Sequence, residues 1–328
     1  MLQTSLSADQ RFEYPPYPNS WVQVAWSHEL RPGQVKSLTC FGRDLVLFRG
    51  GDGQARVLDA YCPHLGAHLG AGGSVVGNDL RCPFHGWQFD GGGACTHIAY
   101  AKKIPAKSRL RSWPVCEKNG LIMIWHDADG REPWFEIPTL EECESDEWSK
   151  PYFHAYTVRT RWRELPENAV DREHFHVLHR YPSPPQLDAR VEGHRFLMTS
   201  HVPWRRFGRE MTVRLDFDLH GAMFQVGRGV SEMPFIVLAS QMPIDSERLI
   251  QRMTFRVSKK LPFPLRDLVA RLVVFTAVRE FKRDVPIWEN KITSNRPVLC
   301  DGDGPIGKFR KWASQFYRAQ EQSRSALV

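Results

Sequence analysis

Two short stretches of this sequence could hold a metal between them: YCPHLGAHLG at residues 61–70 and RCPFHGW at residues 81–87. Each carries one cysteine and one histidine, as Cys62-x-His64, then seventeen residues, then Cys82-x-x-His85. Two thiolates and two imidazoles can bind a structural zinc ion or an iron–sulfur cluster. Three details disfavour zinc. Zinc sites gather cysteines in one knuckle and histidines in the other, whereas each loop here supplies one of each. The Cys-x-His step is tighter than the usual knuckle, and the flanking glycines and prolines let backbone N–H groups approach sulfide. A 2Fe–2S cluster with two thiolates on one iron and two imidazoles on the other needs the donors present.

A second constellation follows at residues 167–179, ENAVDREHFHVLH, with three histidines and three carboxylates in thirteen residues. Asp171 and His174, three apart, share a helix face. His174 and His179, five apart, diverge by about 140° on a regular helix. One ion can take both only if the helix bulges or unwinds, which the prolines of RYPSPPQ just beyond His179 favour. Two histidines and a carboxylate with open positions make the non-haem Fe(II) site of oxygenases. Glu173 and His176 read as a solvated helix face.

Cys62-Pro-His64 with Cys82-Pro-Phe-His85-Gly-Trp87 strongly resembles the Rieske signature, and Asn168-x-x-Asp171-x-x-His174-x-x-x-x-His179 resembles the iron-binding segment of the Rieske oxygenases. The likeness runs from about Trp21 to Lys291. Its texture, as in CPHLGAHLGAGGSVVGNDLRCPFHGWQFDGGG and WPVCEKNGLIMIWHDADG, is similar to the cholesterol 7-desaturases and, less closely, to the steroid 9α-hydroxylases. Respiratory Rieske proteins carry extra cysteines and a serine where this chain has Ala67, Phe84 and Trp87, so the resemblance implies a cluster of lower potential. It also implies a helix-grip catalytic domain with a mononuclear Fe(II). His174 and His179 would ligate that iron, with Asp284 of KRDVPIWENK as the carboxylate and Glu280 and Glu289 as rivals. Asn168 and Asp171 are catalytic candidates, Asp171 linking His85 of one chain to His174 of the next in a head-to-tail homotrimer.

The reaction implied is desaturation or hydroxylation of a sterol-like substrate, with cholesterol 7-desaturation leading. The rivals are steroid hydroxylation of the 3-ketosteroid 9α type, hydroxylation of another small apolar or aromatic substrate, and a non-catalytic Rieske electron carrier. No GxGxxG follows a strand, so electrons from NAD(P)H must come from a separate reductase, directly or through a ferredoxin. The animal desaturases carry an N-terminal membrane anchor that is not seen here, which implies a soluble relative.

Those residues need elements to position them. The first 130 or so residues read as short strands between Gly, Pro and Asp turn signals: WVQVAW, QVKSLTC, DLVLFRG, ARVLDAY, then SWPVCEK and GLIMIWH across Asn119-Gly120, a hairpin signal. This predicts a small all-β Rieske domain over 15–131. Residues 132–328 change texture: a strand in PYFHAYTVRTRW, one helix over RELPENAVDREHFHVLH, strands in EMTVRLDFDLH, MFQVGRG, PFIVLASQM and RLIQRMTFRVS, and a helical pattern from about Pro264 to Asn295. An antiparallel sheet with long helices on one side gives an α+β catalytic domain. Met211, Leu215, Phe217, Met223, Phe224, Phe235 and Val237 could line a pocket or simply face the core.

The 328 residues hold 42% hydrophobic and 25% charged residues, which suits one or two globular domains. Lys and Arg exceed Asp and Glu by 44 − 37 = 7, without the basic-aromatic blocks of nucleic-acid binders. The charge suits an acidic ferredoxin face or an anionic membrane surface. The most apolar window, 268–278, is too short to span a bilayer and contains Arg271. Seven widely spaced cysteines and no secretory signal predict a cytoplasmic protein, peripheral to the membrane at most. Cys95 and Cys116 read as ordinary buried thiols.

Overall fold

A computed structural model describes residues 7–206, 209–231, 234–260 and 264–317; of residues 8, 9, 204–206, 209–211 and 265 only the backbone is described. The chain forms two compact units, Trp21–Thr139 and a second that joins Met1–Ser20 to Leu140–Val328.

The first unit is all-β. Its strands are β1 (Ser20–Trp26), β2 (Val35–Cys40), β3 (Arg43–Arg49), β4 (Ala55–Asp59), β5 (Ser74–Val76) and β6 (Asp79–Arg81). They continue with β7 (Gln88–Phe89), β8 (Cys95–His97), β9 (Ser112–Trp113), β10 (Val115–Lys118) and β11 (Leu121–His126). Three sheets result, ordered β1-β11-β10, β2-β3-β4-β9 and β5-β6-β7-β8. Strands β1 and β11 are buried along their whole length, so LIMIWH reads as a continuous apolar run rather than an alternation. The expected β10–β11 hairpin is present: Asn119 and Gly120 both take positive φ, 57° and 75°, as a tight primed turn requires. The third sheet has strands of only two or three residues, too short to stand without a core. That core is Val46, Phe48, Leu58, Leu69, Leu80, Trp87 and Phe89, together with Cys62 and Cys82.

The second unit is built on one antiparallel sheet ordered β12-β18-β17-β16-β15-β14-β13. The strands are β12 (Tyr152–Val158), β13 (Gln186–Glu192), β14 (Arg195–Arg206), β15 (Arg209–His220), β16 (Phe224–Val230), β17 (Phe235–Pro243) and β18 (Leu249–Val257). Sequence patterning finds five of these seven and misses β13 and β14. Strand β13 does alternate, with Leu187, Ala189 and Val191 between polar residues, but those apolar side chains are few and the strand lies mostly exposed at the sheet edge, so its signal is weak. Among the described residues six α-helices accompany the sheet: α1 (Ala8–Arg11), α2 (Glu141–Glu144), α3 (Glu164–Val170), α4 (Glu173–Val177), α5 (Leu265–Asn290) and α6 (Ile306–Ala313).

Helix α5 lays Val273, Val274, Ala277, Val278 and Phe281 on Tyr152, Val237, Ala239, Met253 and Phe255 of the sheet. Their four-residue spacing makes one apolar stripe, which buries against a sheet face. Helix α6 packs Phe309 and Trp312 on Phe196 of β14. The α+β class expected from sequence is therefore the class observed.

Strand register divides the expected pocket residues. Leu219 pairs with Gln225 and Leu215 with Gly229, so Leu215, Phe217, Phe235 and Val237 share the helix-covered face while Phe224 points to the other. Phe224 is therefore no lining candidate, and Val237 is already used against α5. The side chain of Met211 lies outside the described residues. Among the described residues no helix is long and apolar enough to cross a membrane.

Candidate functional site

The two Cys/His loops are built alike. In the first, Cys62 N–H donates to Ala67 O (2.9 Å) and Gly66 N–H to Cys62 O (2.9 Å). In the second, Cys82 N–H donates to Trp87 O (2.8 Å) and Gly86 N–H to Cys82 O (3.1 Å). Both turns need a left-handed residue at the same place, and Gly66 (φ 75°) and Gly86 (φ 73°) provide it. The loops differ in where the histidine falls, second after the cysteine in one and third in the other.

The cysteines point into the core, 2% and 3% exposed, while the two imidazoles stand farther out with ring centroids 4.6 Å apart. Burial pushes the Cys62 thiol up to about 11, so any ligand that takes the thiolate must displace a proton. His64 Nδ1 is buried and has no hydrogen-bond partner. Inner thiols, outer imidazoles and an orphaned ring nitrogen fit a cluster whose two irons have unlike ligands. Cys95 and Cys116, expected to be buried, are half-buried, and burial raises both thiols.

At the second constellation the single helix expected over residues 163–179 is two. Helix α3 ends at Asp171, whose backbone is extended (φ −83°, ψ 112°), and α4 starts beyond it. The distortion that five-residue spacing demands is also present. His179 N–H donates to His174 O at 3.2 Å, an i to i+5 bond, and Arg180 then turns left-handed at φ 61°. The ring centroids of His174 and His179 come to 5.0 Å.

Asp284 of α5 completes the group: the donor atoms of His174, His179 and Asp284 lie within 4.8 Å of one another. Each histidine has its inner nitrogen occupied. His174 Nδ1–H donates to the backbone carbonyl of Asp171 and His179 Nδ1–H to Glu280 Oε2, both at 2.8 Å. A carbonyl or carboxylate can only accept, so both Nδ1 atoms carry the proton and both Nε2 atoms are free to ligate. Asp284 Oδ1 is 3.2 Å from His179 Nε2, but the angles make no hydrogen bond, and this buried oxygen has no donor. Two bare imidazole nitrogens facing an orphaned carboxylate oxygen fit a divalent iron. Burial opposes a charged His179, yet Asp284 and Glu280 outweigh it and raise its pKa.

The remaining site residues fall around this group. Glu280, a rival ligand by sequence, orients His179 and is itself gripped by Arg279 and Arg283. Glu289 accepts the Arg159 N–H at 3.1 Å instead. Asn168 Oδ1 accepts Trp288 Nε1–H at 3.2 Å, tying α3 to α5. Asp171 holds His174 mainly by its carbonyl; its carboxylate makes two long contacts, 3.5 Å with His174 N–H and 3.8 Å with His174 Nδ1. His176 and Glu173 are exposed. Sequence reasoning offered Glu280 as a ligand and missed its orienting role, and missed Trp288 altogether, although Glu280, Asp284 and Trp288 recur every fourth residue on one helix face.

Residues 20–114 match the Rieske [2Fe-2S] domain, and residues 124–317 match the 3-Ketosteroid 9alpha-hydroxylase C-terminal domain. The chain is 34% identical to the cholesterol 7-desaturase of Xenopus laevis over 338 residues, 93% of this chain and 73% of that protein. It is 30% identical to the 3-ketosteroid-9-alpha-monooxygenase oxygenase component of Rhodococcus rhodochrous over 318 residues, 92% of this chain and 83% of that one. Dicamba monooxygenase bound to dicamba superposes with a TM-score of 0.74 at 20% identity, over 91% of this chain and 97% of that one. NdmA of Pseudomonas putida CBB5 with caffeine gives 0.75 at 20% identity, over 94% and 90%. At that identity the two structures establish a shared fold.

Proposed function

The chain belongs to the Rieske non-haem iron oxygenases, in the group of the cholesterol 7-desaturases and 3-ketosteroid 9α-hydroxylases, and from that premise we propose that it desaturates or hydroxylates a sterol or steroid. The leading reading is cholesterol 7-desaturation. What carries it is the 34% identity to the Xenopus laevis desaturase across 93% of this chain. A second reading, hydroxylation of a 3-ketosteroid, is favoured by the match of residues 124–317 to the 9α-hydroxylase C-terminal domain.

In this reading Cys62, His64, Cys82 and His85 hold the 2Fe–2S cluster, and His174, His179 and Asp284 hold the iron. The cluster and iron, when bound, supply one-electron transfer and O2 activation. The oxygenase takes its electrons from a reductase, which draws them from NAD(P)H. Overall, O2, two electrons and two protons either add one oxygen to the substrate and release one water, or remove two hydrogens and release two waters. The protein's part is to fix Nε2 of both histidines on one point, through the Asp171 carbonyl and the Glu280 carboxylate.

Asp171 is assigned a bridge from His174 to His85 of a neighbouring copy in a head-to-tail homotrimer, with Asn168 bracing the helix that carries it. The support is local. Because the carbonyl holds His174, the carboxylate, 36% exposed, is left with oxygens to spare. Asp171→Asn keeps that carbonyl, so iron and cluster contents should stay at wild-type values while turnover falls by about a hundredfold or more. Full activity in that variant would remove the bridge.

Protein purified without oxygen, given a reductase, NADH and O2, should convert cholesterol to a product two hydrogens lighter. A product one oxygen heavier from a 3-ketosteroid, with cholesterol untouched, would select the second reading. No product from either, with both metals present, would overturn the substrate class.

A further inference from the structure

We propose that the surface centred on Tyr100 and the loop carrying Lys102, Lys103 and Lys107 is where an acidic electron-transfer protein docks and hands its electron to the cluster. The inference rests on the reading that the two Cys/His loops hold a 2Fe–2S cluster, and adds the side from which it is reduced.

The two imidazoles have different neighbours. His85 lies against Phe84, with ring centroids 3.8 Å apart, and Phe84 is exposed. His64 lies flat on Trp87, centroids 4.6 Å apart and planes 9° from parallel. Trp87 is buried, and its indole N–H donates to the Tyr100 hydroxyl at 2.8 Å. Tyr100 is 62% exposed. A stacked ring and one hydrogen bond thus join the solvent to His64 without a gap, whereas the proposed bridge through Asp171 uses His85. Reduction and onward transfer would then run through different histidines.

The surface around Tyr100 has the chemistry of a docking site. Between Asp90 and Glu117 the chain has no carboxylate, and it carries Lys102, Lys103, Lys107, Arg109 and Arg111. The three lysines are exposed and make no ion pair among the described residues. Arg109 spends only a 3.4 Å contact on Gly92 O, and Arg111 lies over Trp113. Ile104, also exposed, adds an apolar side chain to this basic run. A run of basic residues beside an exposed tyrosine and isoleucine suits an acidic protein face, steering it at long range and excluding water at contact. A merely solvated basic loop would need no hydrogen-bonded tyrosine leading inward to a cluster histidine.

The step is an outer-sphere transfer. The donor's reduced centre loses one electron, the cluster gains one, and no bond is made or broken.

The test uses cluster-loaded protein and a reduced plant-type [2Fe–2S] ferredoxin as the acidic probe, at low ionic strength. Affinity is measured with the oxidised probe, and cluster reduction by stopped-flow absorbance. Photoreduced deazaflavin, small and uncharged, is the control reductant. In the double variant Lys102→Glu, Lys103→Glu the affinity should fall about tenfold or more, and Lys107→Glu should lose several-fold. Deazaflavin should reduce these variants at the wild-type rate. Tyr100→Phe should leave affinity intact and slow reduction at saturating ferredoxin. Unchanged affinity in the lysine variants would overturn the proposal, as would an equal loss from Arg43→Glu on β3. A protein that lacks a Rieske spectrum altogether would instead overturn the reading on which the proposal rests.

Discussion

In the cluster loops, all four donors come from two turns of the first unit, one leading from β4 to β5 and the other from β6 to β7, and each turn is closed by hydrogen bonds to its own cysteine. At the proposed iron site, His174 and His179 come from a broken helix and Asp284 from α5, far along the chain. Four contacts among the described residues tie those helices together: Trp288 to Asn168, Glu280 to His179, Arg283 to the His179 carbonyl at 3.3 Å, and Lys291 to the wholly buried Glu164 at 2.6 Å. The contrast says how far a change should travel. Damage to a loop stays in the loop, whereas damage to the helix junction reaches the iron without touching a ligand.

The largest effects test that independence directly. Cys82→Ala should abolish the visible cluster absorption and leave one iron per chain, while Asp284→Ala should leave the cluster spectrum intact and two irons; each should end turnover. Metal analysis beside absorbance reads both. Loss of the mononuclear iron on removing Cys82 would break the comparison.

Next in size is the buried clamp. Glu164 also accepts the Tyr14 hydroxyl at 2.8 Å, so Glu164→Ala leaves the buried Tyr14 without its acceptor and the half-buried Lys291 without its counter-ion. Leaving a buried polar group unsatisfied typically costs about 1–3 kcal/mol. Denaturant unfolding should show that loss in the second unit, with the cluster absorption of the first persisting to its usual midpoint.

Glu280→Ala should be milder, because it removes only the acceptor that orients His179. A lost orienting partner typically weakens metal affinity about 10- to 100-fold. Titration of iron into metal-free protein would show it; unchanged affinity would mean the helix break alone aims the ring.

The smallest effect concerns a histidine–carboxylate cluster that resembles a site by residue type and is structural by position. Asp218 lies on the sheet face opposite Phe217 and is bound by Arg195 and by His220 Nε2 at 3.0 Å. Burial pushes its pKa up, but the His220 and Arg195 hydrogen bonds outweigh that and hold it at about 2. The folded value lies below the unfolded one of about 3.9. The stabilisation is thus complete above that pH and disappears as pH falls through about 2, amounting to roughly 2 kcal/mol. Asp218→Asn should flatten stability between pH 4 and 2, about those limits, and change neither metal content. A change in iron would place this cluster in the site after all.

The loops were legible because their information is short-range. Gly66 and Gly86 mark the left-handed positions, and the cysteines and histidines stand beside them. The sheet was legible in β15 to β18, where several large apolar side chains mark each strand, and faint in β13, whose alternating Leu187, Ala189 and Val191 lie on a charged, mostly exposed edge. The seven apolar residues offered as pocket lining show the same limit. A strand's own pattern marks two faces, but only pairing with its neighbours shows which face a helix covers. Register sent Phe224 to one side and Phe217 to the other.

By itself the sequence determined the donor types, the turn residues and the need for a break between His174 and His179, since each follows from local geometry. Tertiary structure decided the rest: that Asp284 faces the histidines while Glu280 orients one and Glu289 neither, that Asp171 holds His174 by its carbonyl, and that Tyr100 meets Trp87. Four-residue spacing puts Glu280, Asp284 and Trp288 on one helix face, but which of them meets which atom depends on where α5 lies against α3 and α4. That placement comes from packing Val273 to Phe281 on the sheet, a long-range fit that no local pattern encodes.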